Sequence, residues 1–512
     1  MPKTPYVYIV GAGPGDPGLI TVRGLRHLQS ADVVVYDHSV HTRLLRSARA
    51  DAEKIDVGPA APRALDQDAI SLLIVEKARE GKTVVRLKWG DPFVFDSGGK
   101  EALFLHEQQI PFEVVPGVPG ATAVPAYAGI PVTYPGAGDT VTLVRGHEAE
   151  TGDMPQVDWA RLAGLDGTLV CYAAAKQVEA IARGLLANGR AAEESAALIY
   201  GGTTAAQETI VGTLGTIAER ARTQDTAMLV IGRVAGLREH LRWFDDRPLF
   251  GRRIVVTRSR EQAGELVEML EERGADAILA PTIRIAPPDD MAALDSACAT
   301  AAAYDWIVFT SANAVDAFMQ RLLAASDIRE LKGVRLCAIG PSTAERLTRY
   351  GMRVDLMPEE ARAEAVMDAL HGAGPLHRTR FLLPRSDIAR EVLADHLREA
   401  GAEVDEVVAY RTLLAGGERD GDHDIYRMLL DRQIDAVTFT SASTVKNFAK
   451  IFGEEQAADL LTTTVVASIG PVTAEAAQQL GIQTTVMPRR YTIPDLVDAL
   501  VDHFSRPASI EV

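Results

Sequence analysis

Two glycine-rich stretches are the first residues whose types suggest ligand binding. VGAGPGD spans residues 10–16 and WGDPFVFDSGGKEA spans residues 89–102, each directly after an apolar run. Glycine permits positive φ and lets backbone N–H groups approach a ligand closely. The first stretch has Gly11 and Gly13 of a dinucleotide fingerprint, GxGxxG, but Asp16 at the third glycine. A generic turn between a strand and a helix explains it equally well.

Ser and Thr residues form a second candidate set in the other half of the chain. FTSA at 309–312 and GPST at 340–343 have counterparts in FTSA at 439–442 and GPVT at 470–473. Hydroxyl groups and unpaired helix N–H groups favour anions. The paired set therefore predicts donors to carboxylates on both walls of a cleft, whereas N-capping of its own helix explains any single hydroxyl.

The composition excludes several classes of protein. The 512-residue chain carries a formal charge of −17 and no long Lys/Arg run, so we expect no nucleic-acid or anionic-membrane partner. Cys171, Cys298 and Cys337 form no CxxC pair and indicate reduced cysteines in a cytoplasmic protein. The scattered histidines predict no metal site. The N-terminus reads as a strand and turn rather than a signal peptide, and no apolar run is long enough to span a membrane.

Positioning these residues requires an α/β architecture. Strand-like runs such as VYIVGAG, DVVVYD and TLVCYA alternate with segments of helical period, which predicts mostly parallel sheets. A chain of this length predicts several domains. The alternation of strand-like and helical segments is interrupted at residues 237–252, before a new strand-like run begins. We therefore place a domain boundary there, between 1–245 and 246–512.

The second half contains an internal repeat. By subtraction, Phe309 and Phe439 are 130 positions apart, as are Gly340 and Gly470. This period is too long for a solenoid and indicates two similar α/β lobes that face each other across a cleft.

A second pair of similar segments leaves open how the chain connects these lobes. VVTR at 255–258 and LLPR at 382–385 are 127 positions apart, and each precedes one FTSA unit. If strands are exchanged, one lobe is discontinuous, with 251–285 plus 413–505 interrupted by 286–412. Two sequential lobes fit the repeat as well.

Residues 5–245 resemble the tetrapyrrole methyltransferases, and more narrowly uroporphyrinogen-III C-methyltransferase. The resemblance is carried by VYIVGAGPGDPGLITVRGLRHLQSADVVVYD, RLKWGDPFVF, PFEVVPGVPGATAVPAYAGIPVT and VIGRVAGLREHLRWF. It implies two lobes split near residue 135, with S-adenosylmethionine folded into the cleft between them. It also implies Asp37 as a candidate base, although Asp37 suits a helix N-cap equally well. The cofactor residues implied are Gly11, Gly13, Pro14, Gly15, Asp16, Gly90, Asp91, Pro92, Ala121, Tyr172 and Ala227.

The chain departs from that family's pattern at four places, one of which is where the family keeps its substrate-facing arginine and glutamate. Trp89 replaces a usual glycine, Ser97 an arginine, Lys100 a glutamate and Ala173 a methionine, and Pro59-Ala60 stands in place of Lys-Arg. Lys100 is a candidate replacement cation and hence a candidate catalytic residue. Alternatively, Lys88, Arg23 and Arg86 hold the substrate's acetate and propionate groups. The departures leave both active and impaired methyl transfer open.

Residues 251–505 resemble uroporphyrinogen-III synthase. The carriers are VVTRSREQA, VFTSANAV, AIGPSTAERL, LLPRSDIAREVL, VVAYRT, VTFTSAST and SIGPVTAEA. That family has two α/β lobes joined by a two-stranded linker, with one lobe discontinuous, so the resemblance implies the exchanged arrangement and no cofactor. Tyr410 is implied to assist loss of hydroxide from hydroxymethylbilane. The substrate-binding residues implied are Arg258, Thr310, Ser311, Ser342, Thr343, Arg385, Ser441 and Thr473.

The resulting hypothesis is a bifunctional enzyme with small tetrapyrrole substrates, dimerising through its N-terminal half. The C-terminal half would make uroporphyrinogen III, and the N-terminal half would methylate it to precorrin-2. The alternative keeps the synthase and makes the N-terminal half a silent module that binds a ligand or dimerises. A sensor without catalysis in either half is a third class.

Overall fold

A computed structural model describes residues 6–37, 39–58, 65–146, 157–222, 226–260, 262–359, 363–388, 392–415, 419–420 and 423–506. Pro59 and Ala60, one of the departures from the methyltransferase pattern, lie outside these residues. Within the described ranges, every helix is too short or too polar to cross a bilayer.

A five-stranded parallel sheet forms the first lobe. Its strands are β1 (Tyr6–Gly11), β2 (Val33–Tyr36), β3 (Glu53–Asp56), β4 (Thr83–Lys88) and β5 (Phe112–Val115), in the order β3-β2-β4-β1-β5. Apolar clusters cover both faces, which is why β1 and β2 are nearly continuous apolar runs. The helices are α1 (Val22–Ser30), α2 (Thr42–Leu45), α3 (Gln67–Arg79), α4 (Gly98–Glu107) and α5 (Gly120–Tyr127).

The second lobe is a mixed sheet. Its strands are β6 (Val141–Arg145), β7 (Thr168–Ala174), β8 (Ser195–Tyr200), β9 (Glu208–Thr213) and β10 (Thr226–Ile231), in the order β6-β7-β10-β8-β9. Only β6 and β7 run parallel among its adjacent pairs. The helices are α6 (Trp159–Ala163), α7 (Ala175–Ala187) and α8 (Arg238–Leu241).

The third lobe starts with β11 (Arg253–Val256), α9 (Gly264–Glu272) and β12 (Asp276–Leu279), and the chain then leaves it. The inserted fourth lobe contains the strands β13 (Ile283–Ala286), β14 (Trp306–Phe309), β15 (Arg335–Ala338), β16 (Arg380–Ser386) and β17 (Glu403–Leu414). Its strand order is β13-β17-β16-β14-β15, with β13 antiparallel to β17. Its helices are α10 (Ala292–Ala299), α11 (Ala312–Ala325), α12 (Pro341–Arg349), α13 (Ala363–Ala373) and α14 (Val392–Glu399).

The chain returns to complete the third lobe. The returning elements are β18 (Arg419–Asp420), β19 (His423–Asp424), α15 (Ile425–Leu430), β20 (Ala436–Phe439), α16 (Ala442–Phe452), α17 (Glu454–Leu460), β21 (Val465–Ser468), α18 (Pro471–Gln478) and α19 (Ile493–Ser505). The parallel sheet has the order β12-β11-β20-β21, so β11 pairs with a strand that follows the whole insertion. The predicted α/β class with one discontinuous lobe is confirmed, and the sequential arrangement is wrong.

The internal repeat corresponds to equivalent units of the third and fourth lobes. Phe309 ends β14 and Phe439 ends β20, and each is followed by a helix whose N-cap is a serine. Gly340 and Gly470 are the N-caps of α12 and α18. The 130-residue offset found in the sequence therefore relates strand-to-helix turns of the same kind.

Candidate functional site

The two glycine-rich loops meet at the reversal point of the first sheet. β1 and β4 are neighbours, but β1 leads to β2 on one side and β4 leads to β5 on the other. Ligands of open α/β sheets bind at the carboxyl ends of such a strand pair. Gly13 N–H donates to Gly90 O at 3.2 Å, and Gly90 N–H donates to Gly13 O at 2.9 Å. Both glycines have positive φ, 79° and 65°, so this contact needs glycine on both loops.

Close backbone packing continues behind the loops. A Cβ on Gly11 would lie 2.5 Å from the Gly117 Cα and 2.6 Å from the Gly90 oxygen. Asp91 accepts from Gly117 N–H at 3.0 Å and from Phe93 N–H at 2.8 Å. Pro92 packs against Gly98, whose Cβ would lie 2.4 Å from the Pro92 oxygen. These residues shape the loops through their backbones.

Asp16 joins the first lobe to the second. Its N–H donates to Thr203 Oγ1 at 3.0 Å, and Thr203 Oγ1 donates to Pro14 O at 3.1 Å. Its carboxylate accepts from Tyr127 Oη at 2.7 Å and from Gly18 N–H at 2.7 Å. Asp16, which stands where the dinucleotide fingerprint has its third glycine, therefore fixes the first glycine-rich loop against the second lobe.

A cleft of about 480 Å³ lies between the two lobes. Of the predicted cofactor residues, Pro14, Gly15, Tyr172 and Ala227 line it, and so does Asp37. The remaining predicted cofactor residues are absent from its lining and support the loops from behind: Gly11, Gly13, Asp16, Gly90, Asp91, Pro92 and Ala121. Sequence reasoning assigned no cleft role to several residues that line it: Trp89, Phe95, Asp96, Arg145, Gly201 and Gly202.

Asp37 reaches the cleft from the carboxyl end of β2. Its side chain is 26% exposed, and Arg86 donates to its carboxylate at 2.7 Å. The alternative that Asp37 is a helix N-cap is wrong, because His41 holds that position on α2 and accepts from Arg43 N–H at 3.2 Å. Asp37 thus presents an ion-paired carboxylate to the cleft.

A buried charge cluster lies under this wall of the cleft. Arg86, Lys88 and Glu101 have side chains that are 1%, 1% and 0% exposed. Lys88 Nζ lies 3.0 Å from Asp96 Oδ1 and 3.2 Å from Glu101 Oε1, and Arg86 Nε donates to Glu101 at 3.1 Å. We define Asp37, Arg86, Lys88, Asp96 and Glu101 as the charge cluster. Charges this deeply buried persist in proteins when they are paired.

The pKa values of Asp96 and Glu101 shift in opposite directions. Burial raises the pKa of Asp96, although the cation of Lys88 opposes the shift. Burial alone would also raise the pKa of Glu101, but Arg86 and Lys88 outweigh it and hold that pKa below its usual value. Glu101 is therefore the fixed anion of the cluster, whereas Asp96, which reaches the cleft, holds its proton more readily.

The structure contradicts the assignment of Lys100 as the catalytic cation. Its side chain is exposed on α4 and is absent from the lining of the cleft. The cation beside Ser97 comes from β4 instead, where Lys88 Nζ donates to Ser97 Oγ at 2.9 Å. Arg23 is also remote from the cleft lining, since it pairs with Glu113 at 2.9 Å.

Tyr410 and Ser311 form the candidate site of the C-terminal half. Tyr410 lies on β17 and is buried, with its Oη 3.1 Å from Ser311 Oγ. Ser311 also caps α11 by accepting from Ala314 N–H at 3.1 Å. One serine therefore orients the phenol and begins a helix. Thr310 lies next to it and is half-buried.

The other predicted hydroxyl residues separate into two groups. Ser441 caps α16 by accepting from Thr444 N–H at 3.2 Å, so the capping interpretation describes both FTSA serines. Ser342 is exposed, whereas Thr343 and Thr473 are 2% and 4% exposed. The expectation that Ser342 or Thr473 caps a helix is wrong, because Gly340 and Gly470 are the N-caps of α12 and α18, which have no side-chain cap. Thr343 and Thr473 are both buried, and their assignment as substrate-binding residues stays a prediction.

The two predicted arginines differ in their surroundings. Arg385 Nη1 lies 2.7 Å from Glu406 Oε2 without hydrogen-bond alignment, so this contact is an ion pair and its charge is already balanced. Burial lowers the pKa of Arg258, with Glu265 opposing. Arg385 is therefore engaged by Glu406, and the assignment of Arg258 as a donor to a ligand carboxylate stays a prediction.

Known proteins match each half of the chain. The tetrapyrrole (corrin/porphyrin) methylase family matches residues 6–218, and the uroporphyrinogen-III synthase HemD family matches residues 264–498. A uroporphyrin-III C-methyltransferase structure from Thermus thermophilus, complexed with S-adenyl homocysteine, is 36% identical with a TM-score of 0.40, covering 45% of this chain and 99% of that one.

Two relatives extend over most of the chain. The porphyrin biosynthesis protein HemD of Ruminiclostridium josui is 35% identical over 97% of this chain and 98% of its own length. The uroporphyrinogen-III C-methyltransferase of Bacillus subtilis (strain 168) is 34% identical over 72% of this chain and 76% of its own. The protein therefore belongs to the family of porphyrin biosynthesis enzymes in which a tetrapyrrole methylase precedes a uroporphyrinogen-III synthase.

Proposed function

We propose that the chain catalyses two consecutive steps of tetrapyrrole synthesis. The C-terminal half cyclises hydroxymethylbilane to uroporphyrinogen III with inversion of ring D. The N-terminal half methylates uroporphyrinogen III with S-adenosylmethionine to give precorrin-2. The observation that carries the proposal for the N-terminal half is the cleft at the reversal point of the first sheet, where Asp37 faces a wall of glycine backbone.

The residues that line the cleft suit S-adenosylmethionine. Pro14, Gly15, Gly201 and Gly202 offer backbone groups, and Tyr172 offers an aromatic ring that its Oη fixes by accepting from Ala121 N–H at 2.9 Å. Sites of this size and mixed lining are typical of small-molecule cofactors. When bound, S-adenosylmethionine supplies an electrophilic methyl group on a sulfonium.

Asp37 would accept the proton that the substrate loses. Methylation of a pyrrole carbon leaves a cationic ring, and loss of a proton from carbon restores neutrality. Arg86 donates to one oxygen of Asp37 at 2.7 Å, which fixes the carboxylate in the cleft. The lobes would exclude water and hold the acceptor carbon in line with the methyl group.

Tyr410 would act as the proton donor in the C-terminal half. Loss of hydroxide from hydroxymethylbilane gives an azafulvene, and a neutral phenol can protonate the departing oxygen. Ser311, at 3.1 Å from the Tyr410 oxygen, orients this group. Ring D then closes through a spiro intermediate.

The direct experiment supplies purified protein with hydroxymethylbilane and S-adenosylmethionine. We expect uroporphyrinogen III first, followed by a dimethylated product. Uroporphyrinogen III without any methylated product would support the second candidate, a silent N-terminal half, which Ser97 and the exposed position of Lys100 motivate. Formation of neither product would refute the proposal.

Two substitutions test the candidate site of the C-terminal half. Tyr410→Phe is expected to slow ring closure by about 10- to 100-fold, at the low end of general acid effects, because substrate shape still favours the reaction. Ser311→Ala should slow it less but lower the free energy of unfolding by about 1 kcal/mol through loss of the cap on α11. The ratio of uroporphyrinogen III to the non-enzymatic isomer measures closure. Ser441→Ala removes the equivalent cap on α16 without a phenol partner and serves as the control.

A further inference from the structure

Trp89 packs closely into the wall of the cleft, although the tetrapyrrole methyltransferases usually have glycine at this position. Its ring passes over Gly120, where a Cβ would lie 2.4 Å from Trp89 Cη2. Any side chain at residue 120 would therefore clash with the indole. The large ring at 89 and the missing side chain at 120 are complementary, which is the mark of a packed feature rather than of an unconstrained surface substitution.

Two more rings line the cleft beside Trp89. Tyr172 is nearly perpendicular to Trp89, with centroids 6.4 Å apart, and nearly perpendicular to Phe95, with centroids 5.2 Å apart. Phe95 has φ of +54°, a backbone conformation that is unfavourable for a bulky residue and that persists only where the surroundings hold it. We call Trp89, Phe95 and Tyr172 the aromatic wall.

Two carboxylates and one arginine lie in the cleft lining beside this wall. Asp37 and Asp96 bring carboxylates to its lining, while Arg86 and Lys88 lie in buried ion pairs beneath it. Arg145 stands 5.4 Å from the centre of the Phe95 ring, so this wall already attracts one cation. Aromatic rings bind onium groups such as quaternary ammonium through their negative faces.

We propose that the aromatic wall recognises the positive charge of the sulfonium, with Trp89 as the residue that sets this selectivity. This inference rests on the proposed use of S-adenosylmethionine. It gives the cleft a reason to prefer the charged methyl donor over the neutral S-adenosylhomocysteine that remains after transfer. Product release would then follow from the loss of charge.

Calorimetric titration with three ligands tests the inference. S-adenosylmethionine carries the sulfonium, S-adenosylhomocysteine lacks the charge, and sinefungin carries a protonated amine instead. Trp89→Leu is expected to weaken binding of both cations roughly 5- to 30-fold, and to change binding of the neutral ligand less than about twofold. Trp89→Phe, which keeps an aromatic face, should retain most of the affinity and covers the case in which the leucine variant fails to fold.

Other outcomes would overturn the inference in distinct ways. Equal weakening of all three ligands would mean that the indole stacks on the shared adenosine. Unchanged affinities would mean that the ring only fills space. If the unaltered protein bound none of the ligands, the proposed methyl transfer would fail together with the inference. Trp159→Leu, on α6 and outside the cleft lining, is the matched control.

Discussion

Asp37→Asn is expected to slow methyl transfer by about 10²- to 10⁴-fold while leaving ring closure by the C-terminal half unchanged. The amide keeps the shape of the carboxylate but cannot accept a proton from carbon at neutral pH. Arg86 retains Glu101 as a partner at 3.1 Å, so the fold should survive the change. The measurement is the initial rate of methylation of supplied uroporphyrinogen III, with S-adenosylmethionine affinity determined separately.

The two readouts distinguish chemistry from binding. An unchanged dissociation constant with a large loss of rate assigns Asp37 to the proton transfer. A variant that retains more than about a tenth of the methylation rate would remove Asp37 from that role. Asp166→Asn changes a carboxylate of the same half that is 97% exposed, and it should affect neither quantity.

Lys88→Met is expected to lower the stability of the N-terminal half by about 3 kcal/mol, because Asp96 loses its paired cation and Glu101 is left with Arg86 as the remaining cation of the charge cluster. Asp96 and Glu101 lie 3.0 and 3.2 Å from Lys88 Nζ, and water cannot replace the lost charge at a side chain that is 1% exposed. Lys100→Met should change stability by less than about 0.5 kcal/mol, because that side chain is exposed. Hydrogen exchange of the β4 amides, followed by mass spectrometry, reports on this half alone.

A double substitution refines the test. Glu101→Gln in the Lys88→Met background should recover part of the lost protection, because two carboxylates instead of three then surround Arg86, the remaining cation of the charge cluster. If the β4 amides of Lys88→Met alone exchanged hydrogen as slowly as those of the unaltered protein, the charge cluster would contribute little to stability. A greater loss of hydrogen-exchange protection in Lys100→Met than in Lys88→Met would contradict the conclusion that Lys88 is the cation that stabilises this part of the protein.

The sequence was sufficient to predict the fold class because the signals were local. Apolar runs alternating with helical segments predicted parallel α/β lobes, and the offset between Phe309 and Phe439 predicted two equivalent units. The repeat could not decide how the lobes were connected, since both arrangements place the same residues on the same elements. Long-range pairing of β11 with β20 decides it, and pairing across such a distance leaves no trace in a local pattern.

The candidate site was less predictable, because its contacts join residues that are distant in sequence. Lys100 was put forward as the cation that replaces the arginine lost at Ser97, but Lys88 on the preceding strand is the cation that contacts Ser97. The roles of Phe95 and Asp96 depend equally on how α4 folds back against β4. Trp89 was recognised in the sequence as a departure from the methyltransferase pattern. Its packing could not be predicted, because it depends on the absence of a side chain at Gly120, 31 positions later by subtraction.

The exchanged strand of the third lobe has a consequence during synthesis on the ribosome. Arg253 N–H donates to Asp435, 182 positions later, so β11 cannot gain its inner neighbour until most of the chain exists. At about 5–20 residues per second, this delay is roughly 10–40 s. The N-terminal half can fold meanwhile, whereas the β11 edge that later pairs with β20 keeps its backbone N–H and C=O groups unpaired until then. Nascent chains that stall before residue 436 should therefore be the ones that need chaperones.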